Sequence, residues 1–513
     1  MKPISIFRLV FIILYSLLPA FSFSQGWNLS SGGNTYRNGL MAVFGPTEPV
    51  LRWQGSLNAV FSQQSVSDGD YVIVSRTHNI NDVLQGTKIV AHNLQTGDTV
   101  WTKILPVDFP STDWRSRVSA VSDGVLYATR SGNTNASYLY ALDIHTGSII
   151  WKSEELVDES STEGVNFSSD GDIIAGNFTN VMRINKEDGT TQWKTDRYAP
   201  SSDGSQVAVY GNRCYTWEAS YPGPMVTALD IETGQIVAHS PKFPGLVQQV
   251  YLFTGNNGVI YAPRQQNNPI VDTLYALVDK GEQLEAKWTY PIAYTPFATM
   301  GVLNDGSGSV LAFSRDGALV RLDPEDGSVM FTSNEKVVTS SANFPRTAID
   351  FDNNIYITDG GYPTGKLYAF NENLNLNWSV DVPKVNLGGP NLTCDGTLIV
   401  NGTGTDLRAY QGRGAVGIGE QQAGQTRVVL APNPFTDQLE ILVNVSESSE
   451  LQVEILNQSG DVVKRFSQEG LSGEHVFIWD GRTSGSYEAR PGVYFIKIMD
   501  NQNVSTYKVI KGS

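Results

Sequence analysis

A short unit recurs along most of this chain, and its spacing restricts the fold more than any other feature. The unit is an apolar residue, Asp or Asn, then Thr-Gly or Asp-Gly, then a stretch ending in Trp. Ala91-His92-Asn93-Leu94-Gln95-Thr96-Gly97 leads to Trp101, and Ala141-Leu142-Asp143-Ile144-His145-Thr146-Gly147 to Trp151. Ile184-Asn185-Lys186-Glu187-Asp188-Gly189 leads to Trp193, Leu229-Asp230-Ile231-Glu232-Thr233-Gly234 to Ala238, and Leu322-Asp323-Pro324-Glu325-Asp326-Gly327 to Phe331. Trp288 follows a divergent Lys280-Gly281 turn, Trp378 follows Tyr368-Ala369-Phe370, and Trp53 ends a unit with nothing complete before it. Positions 53, 101, 151, 193, 238, 288, 331 and 378 lie 42 to 50 residues apart, room for four short strands and their turns. After Trp378 one partial unit, Asn391 to Tyr410, lacks its Trp strand. The spacing therefore predicts an all-β, eight-bladed propeller over residues 25–412, with Trp53 completing the blade begun by Leu392 to Tyr410. Such closure leaves no dangling strand at the ends of the ring.

The residue types fit that role. Asp or Asn and Thr-Gly build a tight turn in which Gly takes positive φ. Trp53, Trp101, Trp151, Trp193, Trp288, Phe331 and Trp378 are wide enough to dock one blade on the next, and an indole N–H can find its acceptor in a neighbouring turn. Asp-Gly and Asn-Gly turns such as Asp123-Gly124, Asp170-Gly171 and Asn257-Gly258 mark further hairpins.

The repeat resembles that of quinoprotein-type (PQQ-like) β-propellers over about residues 50–412. In that family the dehydrogenases hold a quinone (PQQ) and calcium and carry a catalytic Asp and a disulfide between adjacent cysteines; other members are scaffolds without cofactor. Cys214 and Cys394, the only cysteines, are not adjacent. A closed ring puts them on opposite sides, so both are expected to be free. The resemblance, so qualified, implies a binding scaffold with no catalytic residue and no cofactor. A PQQ- and calcium-dependent oxidoreductase is the alternative.

Both ends of the chain differ from the repeats. Lys2 and Arg8 precede the apolar run Leu9 to Leu18, and small residues follow, so residues 1–24 read as a signal peptide cut before Gln25. No later run is long enough to cross a bilayer, so no transmembrane segment is expected in the mature chain. From Gln411 to Arg427 the sequence is Gly/Gln-rich, and residues 413–427 read as a flexible linker. Residues 428–513 then show short alternating runs, 439–443, 451–456, 476–479, 492–498 and 506–511, that predict a small β-sandwich. This segment resembles the type A sorting domain of the type IX secretion system of Bacteroidetes. The resemblance rests on Pro432-Asn433-Pro434-Phe435, Gly492-Val493-Tyr494 and Lys508-Val509-Ile510-Lys511, with Asn433, Pro434, Gly492, Tyr494, Lys508 and Lys511 as signal residues. It implies export through the periplasm to the cell surface or medium, with the translocon and its sorting peptidase as partners.

Chemistry is sparse by comparison. With 36 Lys+Arg against 52 Asp+Glu, the net charge of −16 argues against a nucleic-acid partner. The five histidines show no metal-binding spacing, and no Gly-x-Ser-x-Gly is present. Gly360 to Leu367 resembles a phosphate loop but has Leu where Ser or Thr is needed, and it reads as a hairpin loop. Asp323 with Asp326, and Asp350 with Asp352, read as turn residues rather than calcium ligands. Trp114, Arg115, Tyr198, Tyr221, Tyr290, Tyr294, Phe297 and Tyr362 fall in connections that a propeller brings to one face. They are the candidate binding face for a protein or glycan.

Overall fold

The computed structural model describes residues 26–55, 65–79, 81–131, 137–157, 165–198, 207–218, 223–244, 251–264, 272–293, 295, 297–402, 406–415, 427–431, 435, 438–457, 462–485, 487–490, 492–499 and 504–511. The signal-peptide residues 1–24, Tyr221, Tyr294, Asn433, Pro434 and most of the linker lie outside them. The architecture is an all-β ring of eight four-stranded antiparallel blades followed by a small β-sandwich. Among the described residues no helix is long and apolar enough to cross a membrane.

Each blade is a meander. Blade 1 runs Val66–Asp68, Tyr71–Thr77, Thr87–Asn93 and Thr99–Lys103. Blades 2 to 7 begin at Ser116–Ser122, Val165–Phe167, Val207–Tyr210, Phe253–Thr254, Gly301–Val302 and Arg346–Ile349. The first strand of each blade is almost wholly buried and approaches the first strands of adjacent blades, so it is the inner strand. The fourth strand alternates between exposed and part-buried residues, as in Thr191–Asp196 and Leu376–Asp381, so it forms the rim. Blade 8 has three strands of its own, Pro390–Leu392, Leu398–Val400 and Leu407–Tyr410. Its fourth is Leu51–Gly55, with Trp53 opposite Ala409 and Gly55 opposite Leu407, the closure expected from the spacing.

The repeat motif acts across blade boundaries. The Trp53, Trp101, Trp151, Trp193 and Trp288 indoles donate to the carbonyls of Leu94, Ile144, Lys186, Ile231 and Pro324, at 2.7 to 2.9 Å. Each acceptor lies in the outer turn of the following blade. The same indoles lie over the turn glycines, all at positive φ, and a Cβ on Gly97, Gly147, Gly189, Gly234 or Gly327 would stand 2.6–2.7 Å from the ring. Glycine is needed there twice, for its dihedral and for the space.

The structure adds a segment that the repeats do not announce. Residues 26–44, ahead of the closing strand, form no blade. They lie in the central channel, where backbone hydrogen bonds tie them to one inner strand after another. Ser67 donates to Trp27 O, Val121 to Asn28 O, Val209 to Thr35 O, Thr254 to Tyr36 O, Val302 to Asn38 O and Ile349 to Gly39 O. Val43–Phe44 then pairs with Gly414–Ala415, and Arg413 bonds to Gly45 O, Asp350 and Asp352, so residues 413–415 are part of the ring.

The C-terminal sheet departs from the expected short strands. The runs at 439–443 and 451–456 are one 18-residue strand, Leu439–Leu456, and the run at 476–479 is the end of another, Val462–Trp479. Register shifts at Val445, Ser449 and Leu451 break this long hairpin into two halves. One half pairs with Arg427–Ala431 and the other with Gly492–Met499, giving the two layers of the sandwich. Its core includes Phe435, Leu439, Val453, Trp479, Tyr494 and Val509.

Candidate functional site

The meander places two kinds of connection on each face of the ring. Inner and outer hairpins share one face, the turn face. Connections between the middle strands, and from rim to next blade, share the other, the loop face. Trp114, Arg115, Tyr198, Phe297 and Tyr362 lie in loop-face connections, and Tyr290 sits at the end of the rim strand Leu284–Pro291 beside them.

Their exposure separates them. Tyr198 is 62% and Tyr362 59% exposed, and these two present open rings. Tyr198 stands edge-on to His239 at 6.0 Å with the Lys242 ammonium 5.8 Å from its centroid. Burial holds the His239 imidazole below its usual pKa, and Thr227 bonds its Nδ1 at 3.0 Å. Arg115 is only 5% exposed, so the expectation that it faces a ligand is corrected: it stands immediately before the inner strand Ser116–Ser122, where the chain enters the buried layer of blade 2. The neighbouring Asp113 carboxylate organises the connection leading there by accepting the Asp108 and Phe109 amides at 2.7 Å each. Trp114 is half-buried, Tyr290 packs on the main core cluster, and Phe297 stands edge-on to Phe344 at 5.4 Å. Tyr198 and Tyr362 thus form separate stations, one after the rim strand of blade 3 and one within blade 7.

One station was not singled out in the sequence. Phe109 stacks on Tyr138 at 6.2 Å and 12°, and the Lys152 ammonium lies 3.8 Å over the Tyr138 ring and 2.8 Å from Asp108. Phe109 follows a rim strand, as Tyr198 does, so the same positional criterion reaches it; Tyr138 and Lys152 lie in strands and gave no such signal. On the turn face a pocket of about 360 Å³ opens between the channel segment and the inner turns of blades 2 and 3, beside Asn28, Thr35, Asp123, Phe167 and Asp170.

A quinone, implied by the oxidoreductase alternative, is tested by the channel. Its inner strands meet residues 27–43 of the chain itself. The Arg37 side chain, 2% exposed, bridges blades 3 and 4 by donating to Val165 O at 2.7 Å and Val207 O at 2.9 Å. A channel packed with polypeptide at this level does not fit such a group. Cys214 is buried in blade 4 and Cys394 lies in an inner turn of blade 8; both are free, and burial pushes their thiols up to about 12 and about 11. The acidic turn residues serve the backbone: Asp323 accepts Glu325 N, Asp326 accepts Ser328 N, and Asp350 accepts Gly45 N. Among the described residues no group of three or more His, Cys, Asp or Glu is placed to hold a metal ion.

In the sandwich the motif residues converge. Gly492 pairs with Lys511, and Phe435 bridges to the same residue. The Phe435 ring lies 5.0 Å from Trp479, and Trp479 4.9 Å from Tyr494, whose hydroxyl donates to Arg490 O. Lys511 is 4% exposed with its ammonium 3.6 Å from Glu488.

Two stretches of the chain match known family models. A family model described as outer membrane protein assembly factor BamB matches residues 85–244, and one described as the FlgD Ig-like domain matches residues 436–503. No curated protein gives a significant match. Among solved structures, BamB from Moraxella catarrhalis is 16% identical, with 61% of this chain and 81% of that chain covered and a TM-score of 0.40. PorZ of Porphyromonas gingivalis, titled a surface component of the type IX secretion system, is 12% identical, covering 88% and 69%, TM-score 0.40. A quinohemoprotein alcohol dehydrogenase from Pseudomonas putida is 10% identical, covering 81% and 83%, TM-score 0.38. The ring is a β-propeller, and residues 85–244 of it match a PQQ-repeat family model.

Proposed function

We propose that this protein is a non-enzymatic propeller scaffold, exported by the type IX secretion system through its C-terminal domain, that binds a protein or glycan on its loop face. The observation that carries the scaffold reading is the filled channel. With residues 27–43 bonded along the inner strands, the central channel is taken by polypeptide, and recognition falls to the outer faces. There the exposed Tyr198 and Tyr362 offer apolar faces with polar tips, and Lys242 adds a cation beside the first. The export reading is supported by the meeting of Phe435, Gly492 and Lys511, three parts of a sequence signal, at one place in the sandwich.

Export is tested by expressing the full chain and a chain ending at Tyr507 in a Bacteroidetes host. The deletion removes half of an edge strand and the core residue Val509, and no strand of the ring. The shortened chain should accumulate in the periplasm with a folded propeller. Its arrival at the surface at the full-length level would end the sorting reading. Binding is tested by applying the chain from Gln25 to Ser513, and its Tyr198→Ala/Tyr362→Ala variant, to a glycan array and to surface proteins of the host. Signal unchanged by the double substitution would remove these two stations from the reading.

A further inference from the structure

The segment in the channel behaves as a ligand would. It enters with Gly26 against the first blade, where a Cβ would stand 2.3 Å from Ser67 O, and Trp27 N donates to the Ser67 hydroxyl at 3.0 Å. Trp27 and Leu29 are fully buried. A tight turn through Gly32 and Gly33, both at positive φ, brings Gly33 O back to Asn28 N at 2.8 Å and lays Gly33 on the Trp27 ring. The chain then passes the remaining blades in order. Asn28 meets blade 2, Thr35 blade 4, Tyr36 blade 5, Asn38 blade 6 and Gly39 blade 7, mostly through backbone groups. Side chains add selectivity. Asn28 Nδ2 donates to Val121 O at 2.9 Å, Asn38 Nδ2 to Thr254 O at 3.1 Å, and Arg37 joins blades 3 and 4. The ring answers with side chains of its own, Asn166 Nδ2 donating to Thr35 O at 2.8 Å.

We propose that the central channel is a peptide-binding site occupied in cis by residues 26–44. The ligand class is a compact polypeptide with a buried aromatic, a double-glycine turn and an Arg-Asn pair, recognised by main-chain hydrogen bonds with a few side-chain selectors. That is how extended peptides are held on sheet edges elsewhere, and here the inner strands of successive blades supply the edge groups. Two features mark it as a separable ligand rather than a ninth part of the fold. It contributes no strand to any blade, and its partners lie far ahead in the sequence, from Ser67, 40 residues on from Trp27, to Ala415, which pairs with Val43. It therefore docks only after the inner strands that receive it exist, as a bound peptide does. Its covalent link passes through Thr47 and Glu48, both exposed, and holds it at a high effective concentration over its site.

The test uses the chain from Gln25 to Ser513 with a protease-recognition sequence inserted between Thr47 and Glu48. The protein is folded first and cut afterwards, so no variant has to fold without the segment. After cutting, the released N-terminal fragment should co-elute with the ring on size exclusion in physiological buffer. Fluorescently labelled peptide 26–44 should exchange into the cut ring, and the same peptide carrying Arg37→Ala and Asn38→Ala should bind at least ~10-fold weaker, two selectors being lost. Peptide added to the uncut chain should not bind, because the linked segment outcompetes it. Departure of the fragment on cutting, or equal binding of a scrambled peptide, would overturn the proposal.

Discussion

The junctions between blades 3 and 4 and between blades 4 and 5 join similar sheets by different means. At the first, Trp193 donates to Ile231 O at 2.8 Å, and its ring would meet a Cβ on Gly234 at 2.6 Å. At the second, Ala238 stands where the Trp would be, and a Cβ on Gly281 would meet nothing within 4 Å. There Arg213 reaches across instead, donating to both Asp279 oxygens at 2.7 Å and to Gly281 O at 2.9 Å, with the Tyr215 hydroxyl also on Asp279. The junction from blade 6 to blade 7 shows the same linkage: Phe331 replaces Trp, and the next turn has Leu374 at φ 63° where others have Gly. At these two junctions, then, the docking aromatic and the turn that follows it depart from the Trp–Gly pattern together.

The largest expected effect breaks that pattern from the glycine side. Gly147→Ala adds a Cβ 2.7 Å from the Trp101 ring at φ +67° and should cost about 3 kcal/mol, strain and overpacking together. Gly281→Ala has the strain without the collision and should cost about 1–2 kcal/mol, as read by urea unfolding of both variants. Equal losses would mean that the Trp contact adds nothing.

Next comes the polar junction. Arg213→Ala leaves Asp279, whose side chain is 16% exposed, without its guanidinium partner and should cost about 2 kcal/mol. Arg213→Lys should recover only part of this, since the ammonium sits on a shorter stem than the terminal guanidinium nitrogen that makes all three bonds. Full recovery by Lys would show that charge alone holds blades 4 and 5.

The closing seam should show itself in acid. Burial would raise the Asp395 carboxyl, but bonds from Thr397, Arg52 and Thr393 outweigh it and hold the group at about 2. Arg52 belongs to the closing strand, 2.7 Å from Asp395. Because the folded value lies below the unfolded one of ~3.9, the contribution is complete above pH ~4 and is lost as pH falls toward 2. About 1–2 kcal/mol should disappear over that window, after allowance for partial exposure. Asp395→Asn should flatten this part of the stability profile; an unchanged profile would separate the seam from Asp395.

The smallest effect distinguishes two tryptophans. Trp378 faces the split blade, whose third and fourth strands come from opposite ends of the chain, so no outer turn follows it and its buried N–H has no acceptor among the described residues. Trp378→Phe should therefore be less costly than Trp193→Phe by about 1 kcal/mol, one hydrogen bond. Thermal melts of the two variants measure the difference.

Blade number, the closing strand and the Trp-to-turn docking were legible in the sequence because the code for each is short: a turn glycine, an acid or amide before it and an aromatic a few residues on. The channel segment was not legible. Residues 26–44 have no period, and their partners lie from 40 residues away upward, so neither composition nor spacing points to them. The binding face was half legible. Connectivity assigns Tyr198 and Arg115 to the same face, yet one is 62% and the other 5% exposed, because Arg115 stands immediately before the buried inner strand Ser116–Ser122. In the sandwich, alternation marked the runs but not their continuity, since the register shifts that let one strand serve two layers leave no sign in the hydrophobic pattern.

The sequence by itself determined the repeated unit, the number of repeats and the docking of repeat tryptophans toward a neighbouring turn, because local dihedral and packing demands act within about fifty residues. Only the tertiary structure decided what fills the channel, which aromatics meet solvent and how Arg213 replaces a missing indole. Those outcomes depend on backbone groups and side chains that become neighbours only when the ring is closed, and an inner strand's unpaired N–H and C=O groups are satisfied by whichever segment closure brings to them.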